Sequence, residues 1–149
     1  MTTINESPLP NVLYRGKVRD THALNDQTLL MVATDRTSAF DVVLPTGIPD
    51  KGAVLCQLSS FWFDKTSHLI QNHFIALASA YPDLEIPDAI GRQSMVVRKA
   101  ERVDVECIVR GYITGSAWSE YKRFGTVGGD NMPTGLKEGD KFPEPLFTP

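Results

Sequence analysis

Arg110, Gly115 and Ser116 stand close together in the stretch VECIVRGYITGSAWSEY, Val105–Tyr121. The stretch opens with the alternation of a strand and closes with the spacing of a helix. On a strand over Val105–Tyr112, Val105, Cys107 and Val109 share one face, and Glu106, Ile108 and Arg110 share the other. Gly111 and Gly115 bracket a bend, and Ser116 falls where a helix N-cap belongs. A helix N-terminus offers N–H groups and a partial positive charge, and an arginine beside it adds a two-pronged donor. The chemistry this permits is the capture of a phosphate or carboxylate from two sides. The plainer alternative is that Ser116 only caps its helix and Arg110 only pairs with Glu106.

Two further clusters have chemical content. In YRGKVRD, Tyr14–Asp20, a continuous strand points Lys17 and Arg19 the same way, with bare backbone at Gly16 before them. Two cations beside bare backbone suit a polyphosphate; a solvated strand face with a turn glycine fits equally. The segment is not a P-loop, because the spaced glycines, the Gly-Lys-Ser/Thr ending and the following helix are all missing. In TDRTSAFDVV, Thr34–Val43, the residues Asp35, Arg36, Ser38 and Asp41 gather in a loop after an apolar strand. Two such carboxylates suit a magnesium ion or an amine, or they cap their own loop. His68 and His73 are spaced to face different sides of a helix, so no zinc spacing arises. No Ser/His/Asp or Cys/His arrangement is visible.

The elements that must position these residues follow from the pattern. Residues 1–10 read as a loose polar arm. VLYRGKVRDTHAL and TLLMVATD read as two strands of an antiparallel hairpin, with LNDQ as the turn between them. RTSAFDVVLPTGIPDKG carries too much Pro and Gly for a long regular element. Ala53–Phe74 has helical spacing, and Val54, Leu55, Leu58, Phe61, Trp62, Lys65, Leu69 and Phe74 form the stripe expected to pack on the core. YPDLEIPDAIG is a Pro-punctuated connection. SMVVRKAERVDVECIVRGYI reads as two strands around a polar link at Lys99–Arg102. A second helix starts near Ser116 and stops at Gly125. The Gly/Pro-rich tail reads as a loop that ends before its next element.

Composition narrows the class. With 149 residues, 42% hydrophobic, the chain can bury a real core. A net charge of −3 argues against a nucleic-acid partner, and no apolar run has the length of a membrane span. The opening MTTINESPLP lacks the features of a signal peptide. Cys56 and Cys107 sit in apolar segments and read as reduced core residues of a cytoplasmic protein.

Four segments, LYRGKVRD, ATDRTSAFDVVLPTGIPDKG, VECIVRGYITGSAW and FPEPLFTP, occur in an order that resembles the N-terminal part of the phosphoribosylaminoimidazole-succinocarboxamide synthase (SAICAR synthetase) family of purine biosynthesis. The third is the most specific. The resemblance implies an α+β fold: an antiparallel sheet with packed helices, like the ATP lobe of protein kinases, followed by the start of a second lobe. The implied division is an arm over 1–10, an ATP-binding lobe over 11–103, and the start of a central substrate and ATP lobe over 104–149. The implied reaction is the ATP- and Mg2+-dependent joining of L-aspartate to carboxyaminoimidazole ribonucleotide through an acyl phosphate.

Residue by residue, the resemblance places Gly16, Lys17 and Arg19 at the ATP phosphates. Arg98 and Lys99 lie along the adenine edge, and Glu106 at the nucleotide's inner side. Arg110, Gly115 and Ser116 hold the ribonucleotide, and Asp35, Arg36 and Ser38 line its cleft. No catalytic residue and no metal ligand is assigned. Small molecules are the expected partners, with no nucleic acid and no membrane, and the oligomeric state is left open. DVEC and IPDKG depart from the family's usual Pro-Val/Ile-Glu and IPGKG. The family's later Thr-Lys-Ala segment and Asp-x-Lys-x-Glu-Phe-Gly motif do not occur, so the expectation is an incomplete, inactive fragment. A non-catalytic nucleotide-binding module is the alternative. A different kinase-like phosphotransferase fits less well, because it would carry a GxGxxG loop.

Overall fold

The computed structural model describes residues 3–149. The chain divides into two units, one ending at Glu101 and one formed by Arg102–Pro149. In the first, β1 (Val12–Arg15) turns through Gly16–Val18 into β2 (Arg19–Ala23). The Asn25 side chain accepts the N–H groups of Gln27 and Thr28, an Asx turn that returns the chain as β3 (Thr28–Ala33). A two-residue hairpin follows, β4 (Ser38–Ala39) with β5 (Val42–Val43), and then helix α1 (Lys51–Thr66). Strand β6 (Phe74–Leu77), helix α2 (Asp88–Gly91) and strand β7 (Ser94–Arg98) complete the unit. The sheet runs β1-β2-β3-β7-β6 with every neighbouring pair antiparallel.

Both faces of this sheet are covered, which is why TLLMVA and SMVV are apolar without interruption. Leu30, Val32 and Val96 pack on one face with Ala78, Ile90 and the arm residues Ile4 and Leu9. Met95 and Val97 pack on the other against Cys56 of α1, flanked by Leu29, Met31, Phe63 and Phe74. The arm is therefore not loose: the Ile4 N–H donates to Asp35, and Ser7 is buried with its N–H donating to the buried Asp20 carboxylate. Met1 and Thr2 lie outside the described residues.

Helix α1 departs from expectation in face and in length. It buries Gly52, Ala53, Cys56 and Ser60. The predicted stripe points away: Val54, Leu55, Leu58, Phe61 and Trp62 are 43–62% exposed, and Leu69 lies beyond the helix. Small residues win because they let the helix approach the sheet. A Cβ at Gly52 would stand 2.0 Å from the Ala33 carbonyl oxygen. The helix stops at Thr66 because side chains take over its last carbonyls. Thr66 Oγ1 donates to Trp62 O, Ser67 Oγ to Asp64 O, and Asn72 Nδ2 to Phe63 O. Asn72 Oδ1 also accepts the Phe74 N–H, which starts β6 where a helix was expected.

The second unit contains β8 (Val109–Tyr112), α3 (Gly115–Phe124), the hairpin β9 (Thr126–Val127) with β10 (Asp130–Asn131), and β11 (Lys141–Phe147) paired antiparallel with β8. The tail read as a loop is thus partly strand. Its prolines Pro143 and Pro145 fall where the β8–β11 register is interrupted, between Lys141 and Leu146. Ile113, Ala117, Val127 and Phe142 form the core of this unit. Glu120 clamps the β9–β10 turn, its carboxylate accepting from Thr126 Oγ1 and from the N–H groups of Gly128 and Gly129. The segment before Val109 is not strand, so Cys107 is exposed rather than core.

Candidate phosphate and anion sites

The first cluster forms on the β1–β2 turn. Lys17 and Arg19 do not share a strand face, because Gly16–Val18 is a turn rather than part of one strand. The Gly16 N–H donates to Arg19 O at 2.7 Å and closes it. A Cβ at Gly16 would meet Arg19 O at 3.2 Å and the Tyr14 ring at 3.3 Å, so bare backbone suits the closure. The Lys17 ammonium pairs with Asp41 at the tip of the β4–β5 hairpin. Arg19 opens β2 beside α1 and lines a small cleft with Met31, Ala33, Cys56 and Met95. Burial pushes the Cys56 thiol up to about 11, and the nearby Arg19 charge opposes that rise.

The third cluster separates into three fates. Asp35 is buried, and its two carboxylate oxygens accept the N–H groups of Ile4 and Gly52 at 2.8 and 2.9 Å. It acts as a remote cap for α1, whose N-cap residue Asp50 makes no side-chain cap bond. Arg36 turns back to the β1–β2 turn. Its Nε donates to Lys17 O at 3.0 Å, its Nη2 to Gly16 O at 2.8 Å and to Asp20 Oδ1 at 2.7 Å, and its Nη1 to Asn5 O. Ser38 begins β4. Asp35 and Asp41 therefore do not form the carboxylate pair that the spacing allowed. Among the described residues, no group of three or more His, Cys, Asp or Glu could hold a metal ion.

Asp20, unassigned from the sequence, is the hub of this region. It is fully buried and receives Arg36, Arg15 and the Ser7 N–H. Burial alone would raise its pKa. The Arg36 and Ser7 hydrogen bonds, with the Arg36 and Arg15 charges, outweigh that and hold the carboxyl below its ordinary value. Alternation along VRDTHA was the available signal, since it turns Asp20 and His22 to the opposite face from Arg19.

Arg98 and Lys99 close the far end of the sheet. Thr28 is paired with Arg98, whereas Arg19 is paired with Ala33. The length of β3 between those levels is roughly 17 Å at the usual rise per strand residue. Arg98 Nη1 donates to Asn72 O, and the Lys99 N–H to Gln27 O. Asp26, Gln27, Thr28, Ile75, Arg98 and Lys99 line a groove of about 410 Å³ there.

In the second unit the anion cluster assembles differently from the sequence expectation. Glu106 is exposed, precedes β8 and makes no ion pair with Arg110. Arg110 instead donates to three neutral oxygens: Thr114 O at 3.3 Å, Ser116 Oγ at 3.4 Å and Thr148 Oγ1 at 3.4 Å. Thr114, not Ser116, holds the N-cap position of α3, and no side chain caps it. Gly115 has φ +57°, a value that favours glycine, and it carries the chain from the extended Thr114 into the helix. Arg110 and Ser116 thus meet at an uncapped helix N-terminus without a carboxylate beside them.

A family model described as SAICAR synthetase matches residues 12–149. The chain belongs to the SAICAR synthetase family. Its relatives include the phosphoribosylaminoimidazole-succinocarboxamide synthase of Halorhodospira halophila, 50% identical over 149 residues, which cover 99% of this chain and 50% of that protein. That of Thermodesulfovibrio yellowstonii is 51% identical over 142 residues, covering 93% of this chain and 48% of its own. The chain therefore spans about half the length of the curated relatives it matches. Among solved family structures, SAICAR synthase of Saccharomyces cerevisiae complexed with SAICAR superposes with TM-score 0.86 at 41% identity, over 97% of this chain and 53% of that one. A SAICAR synthetase in complex with ADP superposes with TM-score 0.66 at 28% identity, over 91% of this chain and 48% of that one. The family fold, mixed helix and antiparallel sheet, is the fold described above.

Proposed function

We propose that this chain carries the nucleotide-binding part of a cytoplasmic carbon–nitrogen ligase of de novo purine biosynthesis. The reaction joins L-aspartate to carboxyaminoimidazole ribonucleotide and yields SAICAR, ADP and phosphate. The observation that carries the reading is the β1–β2 turn with Lys17 at one end of a five-stranded sheet in a SAICAR synthetase family member. The turn and Lys17 face the phosphates, Arg19 adds charge beside them, and the Arg98–Lys99 groove takes the base. Arg110, Gly115 and Ser116 take an anionic group of the ribonucleotide. In the reaction a carboxylate oxygen of the ribonucleotide attacks the γ-phosphorus and ADP leaves. The aspartate amine then attacks the acyl carbon and phosphate leaves. Cations at the turn offset the negative charge that this transfer gathers.

Magnesium, which the family resemblance implies, is not assigned to residues of this chain. Asp35 is committed to two backbone N–H groups and Asp41 to Lys17, and no other acidic cluster among the described residues fits an ion. The chain spans about half the length of its curated relatives, and the reaction is proposed for the full-length protein.

Calorimetric titration with MgADP tests the reading. Binding that weakens by roughly 1.5–3 kcal/mol in Lys17→Ala, the range for a hydrogen bond to a charged group, supports it. Equal binding by the variant would remove the turn from the nucleotide site. Arg110→Ala, placed in a full-length relative and titrated with the ribonucleotide, tests the second cluster in the same range.

A further inference from the structure

The β1–β2 turn is short, with Gly16 and Val18 half-buried and Lys17 exposed, and a phosphate cradle made from such a turn needs its backbone fixed in advance. The structure supplies the means from one place, the link Thr34–Asp35–Arg36 that follows β3. Arg36 takes the Gly16 and Lys17 carbonyls at 2.8 and 3.0 Å. Thr34 takes the next one, Val18 O, twice: through its N–H at 3.0 Å and its Oγ1 at 2.9 Å. Three successive carbonyls are thus drawn toward the body of the unit. Among the described residues no peptide bond is cis. In a trans peptide the N–H points opposite to the carbonyl, so the N–H groups of Lys17, Val18 and Arg19 are turned away from the link. Successive N–H groups turned to one side are the backbone's way of meeting an anion.

Arg36 is itself held. Its Nη2 is paired at 2.7 Å with Asp20, which is fully buried and also receives Arg15. Its Nη1 is tied to Asn5 O of the arm. Four hydrogen bonds, each to a different residue, fix the guanidinium plane, a geometry that a lysine cannot reproduce.

We propose that Arg36 is a positioning residue rather than a substrate contact: locked by Asp20, it sets the carbonyls of the β1–β2 turn inward and so presents the turn's N–H groups to the phosphates of the bound nucleotide. This rests on the nucleotide reading of the turn. Thr34 does the same for the last peptide of the turn.

The test uses Arg36→Lys, which keeps a cation for Asp20 but loses the fork, and Thr34→Val, which removes one hydroxyl and no charge. Two readouts are taken on each and on the wild-type chain: 15N order parameters of the Gly16–Arg19 amides, and affinity for MgADP. The expected result for Arg36→Lys is order parameters at the turn falling from the rigid range near ~0.85 toward ~0.6, with those of β3 and β7 unchanged. MgADP affinity falls at least roughly tenfold, the loss expected for charged hydrogen bonds. Thr34→Val moves both readouts the same way by less. A turn that stays rigid in Arg36→Lys overturns the bracing. A turn that loosens while MgADP binds as before leaves Arg36 a structural role only and overturns the positioning. Absence of MgADP binding by the wild-type chain overturns the nucleotide reading and this proposal with it, while the order parameters still report whether Arg36 braces the turn.

Discussion

Asp20 shows at the scale of one residue how burial and charge are balanced. Removing a carboxylate that neutralises Arg36 and Arg15 leaves cations facing a polar pocket. Asp20→Ala is expected to cost roughly 3–5 kcal/mol in urea denaturation, the range for breaking a buried pair. The sign of its pH dependence follows from its lowered pKa in the folded state. Stability from this group is fully present above its ordinary value of 3.8 and is lost as pH falls through the lower folded value. Stability profiles of wild type and Asp20→Asn should therefore run parallel at neutral pH and converge as the wild type loses its advantage below about pH 4. A constant gap down to pH 2 would show that Asp20 carries no such linkage. The cysteines differ in the same terms. Cys107 is exposed and Cys56 is buried with its thiol pushed up to about 11. A thiol reagent at pH 8 should find one fast group in the native chain and two after denaturation, and Cys107→Ser should remove the fast one.

At the scale of an element, α1 depends on Gly52. The residue lets the helix start against the end of β3, and its N–H is received by Asp35 at 2.9 Å. Gly52→Ala pushes a methyl into the backbone oxygen of Ala33, which cannot move without disturbing the ladder. A loss of about 1–3 kcal/mol or more is expected in chemical denaturation, the cost of overpacking. A variant as stable as the wild type would mean that the helix shifts freely on the sheet. The other end of α1 rests on Asn72, which satisfies Phe63 O and starts β6. Asn72→Ala should cost about 1–2 kcal/mol and raise amide exchange in the last turn of α1 and at Phe74, with β3 unaffected.

At the scale of the whole molecule, α1 leaves an apolar face open to solvent. Val54, Leu55, Leu58, Phe61 and Trp62 make one exposed apolar face along α1. Patches of that kind bind amphiphilic dyes and lower solubility. The native chain is expected to enhance the fluorescence of an anilinonaphthalene dye, and Leu58→Gln with Phe61→Gln should reduce the enhancement several-fold while leaving the unfolding midpoint nearly unchanged. An unchanged signal would place the dye elsewhere. The same face explains why the predicted stripe misled. Apolar spacing marks a helix whatever its large side chains meet, and here Gly52, Ala53, Cys56 and Ser60 set the contact distance.

The sequence by itself determined the family, the antiparallel hairpin of β2 and β3, and the helix ending at Gly125. Those depend on local chemistry: alternation, turn residues, and motifs in a fixed order. Which partner each side chain takes was decided by tertiary structure. YRGKVRD contains every residue of the turn, yet nothing in it says that Arg36, about twenty residues later, will hold its carbonyls. Arg110 and Glu106 look like a pair on one strand face, but the strand begins only at Val109, so Arg110 meets Thr114, Ser116 and Thr148 instead. Asp35 reads as a site carboxylate until the arm and α1 close on it. Arg36 and Asp35 take the partners that the folded backbone brings within about 3 Å, however far away those are in sequence.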